Sequence, residues 1–168
     1  MRAPAVILAT GAALVLQSTL ARFVDGTVPV DFILVVAVLA GLKSGPIAGL
    51  LTGTTGGLIQ DAMASGVIGI GAWAKTVVGF LAGVVATQFI VAKPLPRFVV
   101  FAAATLLHAV VFMGLYEALG LRDFGAPAGT VAVQAAANAV VGVAALQAVE
   151  LLPGAADRRR TARARSRR

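Results

Sequence analysis

Residues 28–61 read V-P-V-D-F-I-L-V-V-A-V-L-A-G-L-K-S-G-P-I-A-G-L-L-T-G-T-T-G-G-L-I-Q-D, and residues 62–83 continue A-M-A-S-G-V-I-G-I-G-A-W-A-K-T-V-V-G-F-L-A-G. Gly41, Gly45, Gly49, Gly53 and Gly57 recur every four residues. In water such a run weakens a helix, because each glycine costs about 1 kcal/mol relative to alanine. A bilayer changes the balance. Lipid tails solvate leucine as well as protein does, so helices associate by close backbone approach, which small residues at this spacing permit. Four residues turn a helix by about 400°, so the ladder forms a slowly winding stripe. It predicts a packing face inside a bundle of membrane helices, either within the chain against a second pair, Gly79 and Gly83, or against a partner's helix.

Composition supports that reading. Of 168 residues, 59% are hydrophobic and only 12% charged, and the mean hydropathy is +0.94. A soluble domain carries about 25% charged residues, so the chain belongs in a membrane. The net charge of +7 is concentrated at one end, where Arg158, Arg159, Arg160, Arg163, Arg165, Arg167 and Arg168 crowd together. The basic balance is therefore a property of the tail, and nucleic acid is not an expected partner. With no cysteine and one histidine, His108, disulfides, thiolate nucleophiles and multi-histidine metal sites are excluded.

Working outward, residues 3–20 form a first apolar segment. A signal peptide would look similar, but no small-x-small cleavage site before a polar domain follows. Pro29 and Asp31 open a second segment over residues 31–42. Proline suits a first helical turn and aspartate complements the positive end of the dipole. At about 18 Å this segment falls short of a 30 Å hydrocarbon core. Lys43-Ser44-Gly45-Pro46 breaks the chain before a third short helix, residues 46–59. Two short spans and one re-entrant hairpin both return the chain to its starting side, and such Gly-interrupted segments often line a site or an interface. Further helices are expected over 72–92, 98–119 and 127–152, the last ending before Pro153-Gly154. Residues 1–152 then make one transmembrane domain, and 153–168 a basic, disordered tail.

Six spans place both termini on one side. Arg2, Lys43, Lys93, Arg97 and the tail arginines share that side, whereas Arg22 and Arg122 lie opposite, each near an aspartate. The positive-inside rule makes the termini cytoplasmic.

Few residues carry chemistry. Asp61 and Lys75 fall near the outer ends of helices three and four, where they either pair within the membrane or snorkel to the headgroups. His108 reads as a buried, hydrogen-bonded packing residue rather than a proton relay. Gln134 and Asn138 share a face and would bond across helices, a modest contribution of about 0.6 kcal/mol each. Thr52, Thr54 and Thr55 are expected to bond back to their own helix. No G-x-S-x-G, H-E-x-x-H or G-x-x-x-x-G-K-[ST] occurs. No enzyme and no cofactor is expected.

Pro29-x-Asp31 before an apolar run, a G-P-x-x-G-x-x-x-G helix start, G-G-L-x-x-D ending in Asp61 and V-G-F-L-A-G at the second glycine pair together resemble the rod shape-determining MreD family. The family pattern commonly has Pro and Asp adjacent, whereas Val30 intervenes here. The resemblance implies an inner-membrane, non-catalytic component of the bacterial cell-elongation machinery. Its partners would be MreC, then RodA with its penicillin-binding transpeptidase, MreB, and membrane lipids. It also implies an all-α bundle of six transmembrane helices like the S components of energy-coupling-factor transporters. That likeness supplies a second functional class, the substrate-binding subunit of a vitamin importer. Aromatic content of 6% and short outward loops speak against it.

Overall fold

The computed structural model describes residues 3–23, 30–64, 66–88, 93–122, 124–125 and 128–165. They form six helices: α1 (Ala3–Phe23), α2 (Phe32–Ser44), α3 (Pro46–Met63), α4 (Ile70–Gln88), α5 (Pro94–Ala118) and α6 (Ala128–Arg165). No strand occurs among the described residues. Among the described residues four stretches are long and apolar enough to cross a membrane: Ala3–Ala21, Ile70–Gln88, Pro94–Ala118 and Ala128–Leu151. The protein is an all-helical, membrane-embedded chain.

The shortest helix sits at the centre. α2 is apolar on all sides, and a helix of that kind needs neighbours all round. It packs against each of the other five. Ile33, Leu34, Ala37, Val38 and Ala40 are almost wholly buried. Leu34, Val38, Val78, Phe101, Ala139 and Leu146 build the core that joins α2 to α4, α5 and α6. Helix α1 lies at the margin, packing only on α2 and α3 and exposing Ile7, Leu8, Val15 and Leu16.

The glycine ladder is the seam between α3 and α4. A Cβ on Gly49 would overlap the Gly79 carbonyl, one on Gly53 would lie 2.6 Å from the Lys75 carbonyl carbon, and one on Gly57 would lie 2.5 Å from the Ala72 Cα. Gly41 of α2 enters the same seam, where a Cβ would sit 2.9 Å from the Gly83 nitrogen. Gly83 in turn packs on Pro46. The stripe is thus spent inside the chain. Gly56 serves a second face that the spacing of four does not reveal: there the backbone rests on Ile33 and Thr10.

Gly45 has a different role from its ladder companions. Its φ is 93° and a Cβ would meet open space. It ends α2, donating its N–H to the Gly41 carbonyl at 2.9 Å, and Pro46 begins α3 where no donor is required. Gly45 is therefore a turn glycine, whose backbone rests against Gly83 at the end of the seam.

Element ends shift from expectation for local reasons. α4 begins at Ile70 because the Asp61 side chain supplies its first acceptors. α5 begins at Pro94 because Pro94 and Pro96 fit a first turn, which the Arg97 N–H to Lys93 carbonyl bond closes. α6 continues past Pro153 to Arg165, correcting the expected stop at residue 152. Alanine and arginine, which dominate 155–165, are strong helix formers.

Candidate functional site

Depth can be read along the helices from a fixed level. At one end of the bundle Glu150 of α6 binds Lys43 of α2, and its two oxygens take Arg97 of α5 at 2.9 and 3.0 Å. From this clamp, Asp31, His108 and Asn138 each lie about 17–18 Å along their own helices. α5 and α6 extend roughly 15 Å farther, so together these stretches match a hydrocarbon core of about 30 Å. The N-terminus of α2 therefore stops about halfway along the lengths of α5 and α6.

A polar cluster gathers at that level from α2, α4, α5 and α6. Asp31 is the N-cap of α2, and its Oδ1 accepts the Leu34 N–H at 3.0 Å. Its Oδ2 lies 3.0 Å from the Lys75 ammonium. The Asp31 backbone N–H donates to Asn138 Oδ1 at 2.8 Å. Asn138 uses its amide nitrogen on Thr105 Oγ1 at 3.1 Å, and Thr105 donates to the Phe101 carbonyl at 2.9 Å. His108 Nε2 is 3.4 Å from Lys75 Nζ. An ammonium has no acceptor, so a bond here needs Nε2 to accept and Nδ1 to carry the ring proton. Asp31, Lys75, Thr105, His108 and Asn138 are all buried. The neighbouring Phe32 N–H reaches Gln17 Oε1 on α1 at 3.0 Å.

The arrangement is closed. One carboxylate faces one ammonium, and both carboxylate oxygens are engaged. Such a cluster fixes helices in register. Among the described residues no group of three His, Cys, Asp or Glu side chains is disposed to hold a metal ion.

Lys75 therefore does not pair with Asp61. The Asp61 carboxylate instead accepts the backbone N–H groups of Gly69 at 2.9 Å and Ala72 at 3.0 Å, joining the end of α3 to the start of α4. Lys75 lies one turn deeper and turns toward α2. The expected pair was drawn across the α3–α4 hairpin, whereas the buried end of α2 supplies a nearer and drier carboxylate. Of the Pro29–Asp31 motif, Asp31 is the helix cap, and Pro29 lies outside the described residues.

The threonine expectation holds. Thr52, Thr54 and Thr55 bond to the carbonyls of Ala48, Leu50 and Leu51 at 2.7–2.9 Å. Thr54 also meets Thr76 of α4 at 2.7 Å. Asn138 does bond across helices. The Glu150 clamp was not anticipated, although a glutamate near the basic end of α6 was its available signal. Beyond His108, Phe112, Tyr116 and Phe124 form a continuous aromatic stack, with ring centroids 4.9–6.1 Å apart. His108 stacks on Phe112 at 5.7 Å.

No protein-family model, curated protein or solved structure gives a significant match to the chain.

Proposed function

We propose that the protein is a non-catalytic scaffold subunit of the bacterial cell-elongation machinery, of the MreD kind, acting with MreC in the inner membrane. The observation that carries this reading is where the resembling motif falls. Asp31 caps α2 and meets Lys75. Gly45-Pro46 is the α2–α3 turn. Asp61 caps α4, and Gly79 and Gly83 seat α3 and its entry turn. Each motif residue in this set is a joint of one tightly closed core. A sequence pattern that spends its distinctive residues on joints suits a rigid platform for partner helices better than a carrier that must open around cargo.

On this reading all six helices are embedded, as in the S-component bundle, with α2 as the short central member. The Lys43–Arg97–Glu150 end and both termini face the cytoplasm, following the basic bias. Helix α1 and the outer faces of α5 and α6 remain for MreC, RodA or its transpeptidase.

A concavity of about 700 Å³ between α1 and α3 also favours a scaffold. The hydroxyls of Thr10, Thr52 and Thr55 on its walls are turned onto their own helices. The groove thus offers methyl groups rather than the convergent polar contacts by which a vitamin is recognised.

Depletion in a rod-shaped host tests the proposal. Round, swollen cells with normal vitamin uptake are expected. Rods that keep their shape but become vitamin auxotrophs would replace the scaffold reading with the importer subunit.

A further inference from the structure

Between the clamp ends of α5 and α6 runs a shallow groove of about 480 Å³, lined by Leu95, Phe98, Val140, Val143, Ala144 and, nearest the clamp, Gln147. Leu95 and Val140 are largely exposed, so hydrocarbon must cover this surface. We propose that the groove binds one anionic phospholipid, an acyl chain lying along α5 and α6 and its phosphate at the level of Lys93 and Arg97.

Charge complementarity selects the headgroup. Arg97 and Lys43 are both drawn to Glu150, and Lys93 stands exposed at the N-cap of α5, one turn before Arg97. Lys93 thus brings an exposed positive charge to the clamp end of the groove, beside Pro94 and Leu95. Basic pockets between membrane helices are suited to acidic headgroups, each Lys or Arg there contributing about 1 kcal/mol. Leu95 of α5 and Gln147 of α6 lie at the charged end of the groove, so one molecule meets both halves of the site.

Dimensions select a lipid chain over a partner helix. The lined part of α6 is about 11 Å long. That fits within one leaflet, whereas a spanning helix would need a seam through the full 30 Å core. Apart from Gln147 at the headgroup end, the lining side chains are hydrocarbon, as an acyl chain requires.

The test is native mass spectrometry of the full chain in mild detergent, titrated with phosphatidylglycerol and with phosphatidylcholine of matched chains. One phosphatidylglycerol should be retained in preference to phosphatidylcholine. Lys93→Gln should weaken that binding about fivefold, the factor corresponding to about 1 kcal/mol. Ala144→Trp, which fills the groove from an exposed position, should do likewise. Val110→Trp, on an exposed stretch of α5 outside the groove, should not. Melting curves for each variant confirm that the fold survives. Equal retention of both lipids, or unchanged phosphatidylglycerol binding in Lys93→Gln and Ala144→Trp, would overturn the site. So would an Ala144→Trp protein that loses a co-purifying protein but keeps its lipid.

Discussion

The carboxylate of Asp31 and the ammonium of Lys75 meet 3.0 Å apart in the interior of the bundle. Neither residue could occupy its place alone. Desolvating an ion in a protein interior costs several kcal/mol, and only a matched partner with further hydrogen bonds offsets it. Asp31 has those bonds, from the Leu34 N–H and the ammonium. The pair therefore makes the end of α2 and the second turn of α4 dependent on each other.

Breaking the pair from one side should be worse than removing it. Lys75→Met leaves a buried, unpaired carboxylate and should destabilise the protein by about 3–5 kcal/mol. Asp31→Asn added to it keeps an N-cap acceptor, since asparagine caps as well as aspartate, and should restore most of the loss. Chemical unfolding in detergent of the two single variants and the double variant measures this. A double variant no more stable than Lys75→Met would show that the ion pair does not organise the cluster.

Asp61 should behave as a cap and not as an ion-pair partner. Its replacement by alanine removes acceptors from the Gly69 and Ala72 N–H groups and should cost about 0.5–2 kcal/mol. Asp61→Asn should lose less. Combined with Lys75→Met, the effect of Asp61→Ala should add to the first, because the two residues share no contact. Strong coupling between them would contradict the geometry.

These two aspartates show where the sequence was legible. Helix count, the glycine seam, the Gly45-Pro46 turn and the threonine back-bonds follow from local spacing and chain chemistry. The partner of Lys75 does not, since pairing across α2 and α4 is set by depth. Depth was nevertheless half written in the chain. α2 is too short to reach both surfaces, and Lys43 marks its surface end, so the Asp31 end must lie inside and need a cation. Gly56 was missed because a spacing of four follows only the face toward α4. Asn138 joined the cluster through a backbone N–H, which no side-chain pattern announces. The course of α6 beyond Pro153 was misjudged by weighting one proline over a long run of alanine and arginine.

The proposed orientation can be read with single cysteines, since the chain has none of its own. An impermeant thiol reagent applied to intact cells should label Ala64→Cys, between α3 and α4. Ser44→Cys and Leu95→Cys, at the Glu150 clamp end, should react only after the cells are opened. Labelling of Ser44→Cys from outside would invert or break the six-helix topology.

The α3–α4 seam gives the sharpest test of the packing. In lipid, close approach is itself the source of helix association, and a side chain at a contact glycine removes it. A Cβ at Gly53 would sit 2.6 Å from the Lys75 carbonyl carbon and 2.8 Å from the Thr76 nitrogen. Both neighbours are backbone, so neither can rotate away. Gly53→Leu should therefore cost at least the 1–3 kcal/mol typical of overpacking, roughly, and lower the melting midpoint. It should also disturb Lys75, and so weaken the Asp31 pair. Gly11→Leu is the control, because a Cβ there meets nothing within 4 Å, and helix propensity favours leucine. Leu51→Ala, on the exposed side of α3, should be mild, since lipid replaces the lost contacts. Because the ladder faces α4, loss of stability and loss of partner binding should appear together in Gly53→Leu. A variant that melts like the parent yet fails to pull down its partner would move the stripe from the interior of the bundle to its surface.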